Sequence, residues 1–180
     1  ALASTLKSLE LKPDNPTALM NLGDIYKNLG NLDQALASTL KSLELKPGDS
    51  GALYSLGRIK MTLGKTEEAR KTLLNAIENN SQEYGAYYEL SMILETKEEA
   101  SELIKAINSA KAAEVTPRSI SFIEFAISNC LHKAKNYGQA SKHLQLANKN
   151  KLTMPPSNAA SLQQEIENNL AKIDPPERTP

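Results

Sequence analysis

A 13-residue sequence occurs twice in this chain without a single difference. The letters ALASTLKSLELKP occupy residues 1–13 and return at residues 35–47. Identity at all 13 positions is far beyond chance and indicates a duplicated unit, which extends from the end of one copy to the end of the next, over residues 14–47. A repeat period in the range of about 20 to 50 residues predicts an array of small stacked units rather than one closed core.

The residues between the two copies predict a pair of helices joined by a very short turn. Two stretches carry apolar residues at helical spacing. Asn15 before Pro16 is typical of a helix N-cap followed by proline in the first turn. Gly30 ends the first helix, and Asn31 with Gln34 predicts a capping box at the start of the second. Each unit is therefore an antiparallel helix pair.

This pattern resembles the tetratricopeptide repeat, a helix-turn-helix unit of about 34 residues. The positions that match the family pattern are Leu22, Gly23, Tyr26, Ala35 and Pro47. Leu19 and Thr39 stand where the family has a tryptophan and a second aromatic residue. Gly23 and Ala35 are small because the two helices of a unit are expected to cross closely there. The resemblance implies an all-α fold, a right-handed superhelical array of antiparallel helix pairs with a C-terminal capping helix.

The resemblance also predicts how the chain is divided. The expected segments are 1–13 as the second helix of a truncated repeat, 14–47 and 48–81 as repeats, 82–116 as a degenerate repeat, 117–152 as the last repeat, 156–173 as the capping helix, and 174–180 as a linker or disordered tail. In the degenerate repeat the turn is three residues short, and its second helix is expected to continue toward Thr116. Because the opening residues lack their first helix, we expect that the sequence is cut from a longer array.

Composition narrows the classes of function. Lysine plus arginine equals aspartate plus glutamate, at 21 each, which argues against a general nucleic-acid binder. The sequence has no apolar run of about 20 residues and no secretory signal, so we expect neither a membrane protein nor an exported one. The single cysteine, Cys130, excludes an internal disulfide and favours a reducing compartment. We expect a cytoplasmic, bacterial protein.

The charges are unevenly distributed along the chain. Residues 65–105 contain nine acids against five bases. No acid occurs between Glu124 and Glu165, whereas lysines supply five positive charges between Lys133 and Lys151. The basic segment is either an ordinary solvated helix face or a surface that contacts an acidic partner.

In tetratricopeptide arrays the first helices of successive units line a concave groove that holds an extended peptide or a partner's helix. The helical register predicts that the groove-facing residues here are Met20, Asp24, Lys27, Asn28, Tyr54, Arg58, Met61, Tyr88, Met92, Phe122, Phe125, Asn129 and His132. The resemblance thus implies a scaffold that binds a protein or peptide through this groove. The alternative for the aromatic residues is that they pack between units as core.

A catalytic or metal site is not expected. Cys130 and His132 are two residues apart and point in different directions on a helix, so they cannot act together. Only His143 could add a further ligand, whereas a zinc site needs about four. The sequence has no glycine-rich phosphate loop. We expect no cofactor, no metal and no enzymatic activity in this chain, with Cys130 as a buried thiol and the histidines at the surface or in the groove.

Two further functions stay open. Residues 122–152, followed by prolines, resemble the last helix pair of bacterial, in particular cyanobacterial, proteins in which tetratricopeptide repeats precede a sulfotransferase domain. That resemblance implies a non-catalytic arm that presents a substrate or partner to a downstream modifying enzyme. The other alternative is self-association through the exposed N-terminal repeat edge.

Overall fold

The structure is a computed structural model that describes residues 2–111 and 115–153. Within these ranges it contains nine α-helices and no β-strand, which confirms the all-α prediction. The helices are α1 Leu2–Leu11, α2 Pro16–Asn28, α3 Leu32–Leu45, α4 Ser50–Thr62, α5 Thr66–Asn79, α6 Tyr84–Met92, α7 Lys97–Ala110, α8 Pro117–Lys133 and α9 Tyr137–Leu152. The predicted capping helix at 156–173 and tail at 174–180 lie outside the described residues.

The helices belong to two compact units, with α1 to α3 in the first and α4 to α9 in the second. In the first unit α2 packs against both α1 and α3. Leu22 and Ile25 of α2 are buried against Leu6 of α1. A Cβ atom added to Gly23 would overlap the Thr39 hydroxyl of α3, so the two helices do cross closely at this glycine.

Three of the four helix pairs share one turn. In each of these pairs three residues link the two helices, and the middle one has a positive φ. The φ angle is 79° at Gly30, 74° at Gly64 and 62° at Lys135. The predicted capping box at Asn31 is wrong, because no side chain caps α3. The Asn31 N–H donates to the carbonyl oxygen of Tyr26 at 2.9 Å, which completes the turn after α2. Gln34 therefore has no free N–H to bind there.

The helix pair at residues 84–110 departs from this pattern. Helix α6 has only nine residues and ends at Met92. The residues missing from this repeat are therefore missing from the last helical turn of α6. A capping box forms here instead, with Thr96 accepting from the Glu99 N–H and the Glu99 carboxylate accepting from the Thr96 N–H. Helix α7 ends at Ala110 rather than continuing toward Thr116. Both α6 and α7 pack more on α8 than on each other.

The core of the second unit lies where α6, α7 and α8 meet. Tyr84, Tyr87, Ile107, Ile123 and Ile127 are all buried in one cluster. The Tyr84 hydroxyl donates to the Ala110 carbonyl oxygen at 2.9 Å, which satisfies the polar end of a buried ring. This core holds α6 and α8 side by side and so positions the surface described next.

Candidate functional site

An open pocket of about 510 Å³ lies between α6 and α8 in the second unit, and we call it the α6–α8 pocket. Five of the predicted groove residues line it, namely Tyr88, Met92, Phe125, Asn129 and His132. The fold therefore brings predicted residues of two helices that are well separated in sequence to a single concave site.

Aromatic rings form the floor of the pocket. The ring of Tyr88 lies 5.9 Å from that of Phe125 and 5.7 Å from that of Phe122, in tilted arrangements. All three rings are half-buried, and Tyr88 and Phe122 also contact the core cluster. Tyr88 thus packs on the core and lines the pocket at once, whereas Phe125 lines the pocket and Phe122 packs on the core. Half-exposed rings of this kind suit an apolar side chain of a partner.

Polar groups stand at one end of this floor. The Asn129 amide donates to the Ser91 hydroxyl at 2.9 Å, and that hydroxyl donates to the Tyr88 carbonyl oxygen at 2.6 Å. This chain of bonds fixes Asn129 against α6. His132 lies edge-on to the ring of Tyr137, with centroids 5.2 Å apart. Lys133 completes this end of the pocket.

The pocket lies at the C-terminal end of the short α6. Helix α8 continues to Lys133, whereas α6 ends at Met92, so the last turn of α8 extends beyond its neighbour. The turn residue Leu94 and Leu144 of α9 supply the remaining apolar walls. No carboxylate lines the pocket in the part of the chain that the structure describes.

The predicted groove residues of α4 do not reach this pocket. Tyr54 packs over Gly85 of α6, where an added Cβ would lie 2.7 Å from the tyrosine Cζ. Burial raises the pKa of Tyr54 to about 12. Arg58 covers the same ring, with its guanidinium carbon 5.5 Å from the centroid, and its Nε lies 3.2 Å from a carboxylate oxygen of the buried Glu89. Met61 is half-buried on the same helix.

The four remaining groove candidates lie on α2 in the first unit. Met20, Asp24 and Lys27 are half-buried there, and Asn28 is exposed. The groove prediction for α2 therefore stays a prediction.

Several residues that line the pocket were not predicted from the sequence. Leu94 lies in the shortened turn, where no repeat register applies. Lys133 ends α8, one position beyond the predicted His132. Leu144 matches a buried position of the repeat but is 44% exposed. The sequence could have indicated Lys133 as a site residue, because it begins the acid-free basic segment.

The structure does not bring the cysteine and the histidines together into one reactive site. Cys130 is fully buried, and burial raises the pKa of its thiol to about 12, so it is not a nucleophile near neutral pH. His143, expected at the surface or in the groove, is half-buried, and its Nδ1 lies 2.5 Å from a carboxylate oxygen of the buried Glu124. No group of three or more potential metal ligands occurs among residues 2–111 and 115–153.

Two segments of the chain match the tetratricopeptide repeat family, at residues 5–37 and 50–83. The chain therefore carries tetratricopeptide repeats, in keeping with the helix pairs described above. No curated protein sequence matches the chain significantly. The resemblance to proteins with a sulfotransferase domain stays a prediction.

Solved structures share the fold. PilF of Pseudomonas aeruginosa is 18% identical with a TM-score of 0.64 and covers 86% of this chain and 70% of its own. A crystal structure of MamA is 24% identical with a TM-score of 0.55, covering 83% and 86% respectively. YrrB, described as a TPR protein with an unusual peptide-binding site, is 15% identical with a TM-score of 0.54, covering 98% and 95%.

These repeats make the chain a protein-interaction scaffold. Proteins of this fold are typically non-catalytic. In the described ranges no helix is both long enough and apolar enough to cross a lipid bilayer.

Proposed function

We propose that this chain binds an extended segment of a partner protein in the α6–α8 pocket. The observation that carries the proposal is the convergence of Tyr88, Met92, Phe125, Asn129 and His132 on one open site of about 510 Å³. A cavity of this size accommodates a large side chain together with the backbone that carries it.

The chemistry of the pocket specifies what the segment should contain. A leucine, methionine or aromatic side chain would lie on the Tyr88 and Phe125 rings, where apolar contact area is available. A neighbouring aspartate or glutamate would then lie beside Lys133 and His132, at an end of the pocket whose lining contains no carboxylate. The basic segment that begins at Lys133 supports the same choice of partner. The peptide-binding site described for YrrB, which shares the fold, supports a peptide as the occupant.

Selection from a random dodecapeptide phage library on the immobilised chain tests the proposal. We expect the enriched sequences to pair an apolar or aromatic residue with an acidic one. Met92→Gln should weaken their binding at least tenfold, because Met92 is 47% exposed and lines the pocket. Leu146→Gln is the matched control, since Leu146 is also 47% exposed but lies outside the lining. Equal losses in the two variants, or enriched sequences without this pairing, would contradict the proposal.

A further inference from the structure

A second cleft lies among α5, α6 and α7, on the side of the second helices. Its walls are Leu74, Leu90, Leu94, Leu103 and Ala106, and we call it the leucine cleft. It measures about 220 Å³ and is open to solvent. Apart from Leu94, it has no residue in common with the α6–α8 pocket.

The cleft results from the irregular third helix pair. Since α6 ends at Met92 and α7 packs more on α8 than on α6, the second helix does not close against the first as it does in the other pairs. Leu74 of α5 and Leu40 of α3 occupy the same position in successive repeats and are similarly exposed, at 45% and 42%, but only Leu74 lines the cleft.

The mouth of the cleft is held in place by Arg70. Its guanidinium donates to the carbonyl oxygen of Ile93 at 2.8 Å and lies 3.2 Å from a carboxylate oxygen of Glu99. The Glu99 carboxylate in turn accepts hydrogen bonds from the N–H groups of Glu95 and Thr96. These bonds lower the pKa of Glu99, so it is ionised near neutral pH. The walls are therefore preformed, which lowers the entropy lost on binding.

Charge at the mouth indicates which partner would bind. The positive charge of Arg70 is already matched by Glu99 and by Glu67, whose carboxylate lies 3.7 Å from the arginine Nε. Glu102 and Glu98 are exposed acids on α7, and Glu102 lines the cleft itself. Among the residues that line the cleft, the two acids Glu99 and Glu102 outnumber the one base, Arg70. A basic segment complements this surface.

We propose that the leucine cleft is a second binding site, which takes one leucine-sized or aromatic side chain from a partner segment flanked by lysine or arginine. An apolar cavity of about 150 Å³ is known to hold a benzene molecule, so the volume suffices for one such side chain. The flanking cations lie beside Glu102 and Glu98. This site shares only Leu94 with the α6–α8 pocket, for which we propose an acidic segment instead.

Titration of the methyl-labelled chain with an acetylated, amidated Arg-Lys-Leu-Lys-Arg peptide, followed by NMR, tests this site. We expect the methyl signals of Leu74, Leu103 and Ala106 to shift. Replacing the peptide leucine by alanine, or its basic residues by acids, should weaken binding at least tenfold. Leu74→Gln should have the same effect, whereas Leu40→Gln, at the equivalent position of the preceding repeat, should change the affinity less than twofold.

Circular dichroism confirms that each variant folds before its affinity is compared. Binding of the alanine peptide as strong as that of the leucine peptide would overturn the proposal, because only charge attraction would then be at work. It would also be overturned by an equal loss in Leu40→Gln, or by the absence of shifts at the cleft methyls at millimolar peptide.

Discussion

The helix pairs at residues 50–79 and 84–110 start from the same repeat and end with different packing. In the first pair, a Cβ added to Gly57 would lie 2.6 Å from a methyl carbon of the buried Leu73, so the two helices cross at van der Waals contact. The equivalent position of the next pair is Ser91, whose hydroxyl is bonded within α6 and to Asn129 of α8. A repeat that is three residues shorter can therefore still pack against the next one. Here α6 packs mainly on α8, with an open pocket on one side of the turn and a cleft on the other.

The largest effect is expected at the close crossing. Gly57→Leu should lower the free energy of unfolding by about 3 kcal/mol, because the new side chain has to displace Leu73. Ser91→Ala, at the equivalent position, should cost only about 1 kcal/mol through the lost bond from Asn129. Urea unfolding followed by circular dichroism measures both. Similar losses in the two variants would show that the crossings do not differ in the way the structure indicates.

An intermediate effect is expected at the turn of the irregular pair. Arg70→Met should lower the free energy of unfolding by about 2 kcal/mol, because it leaves the Ile93 carbonyl without its charged donor. Lys71→Met at the exposed next residue is the control and should be nearly neutral. Amide hydrogen exchange at Glu95 and Thr96 should accelerate in the Arg70 variant alone. Unchanged exchange at these two amides would show that Arg70 does not stabilise the turn.

The smallest effects are expected at the regular turns. Gly64→Ala should destabilise the chain by about 1 kcal/mol, because φ is 74° there although nothing lies within 4 Å of an added Cβ. Lys135→Gly should have the opposite sign and a similar size, since Lys135 adopts a φ of 62° as a non-glycine residue. Thermal unfolding measures both shifts. If Lys135→Gly destabilises instead, the lysine side chain contributes more than the backbone conformation costs.

Much of the fold could be predicted from local patterns. The Asn15 cap was predictable because an asparagine before proline offers its side chain to the first free N–H groups, and the Ala18 N–H does donate to it at 3.2 Å. The capping box at Asn31 was predicted wrongly, because the Asn31 N–H group already bonds within the preceding turn. The pocket residues on α6 and α8 followed from helical register. Leu94 and Leu144 did not, because their exposure depends on how far α6 extends.

The sequence by itself determined the repeat period, the all-α class and the faces of the helices, because apolar spacing and turn residues act over a few positions. Only the tertiary structure decided which segment of the irregular repeat is shorter by three residues. The chain could have tightened a loop or shortened a helix, and it shortened α6 at Met92, where Arg70 and the Thr96–Glu99 capping box stabilise the new turn. Such a choice depends on contacts between helices, and these contacts are what leave the α6–α8 pocket and the leucine cleft open.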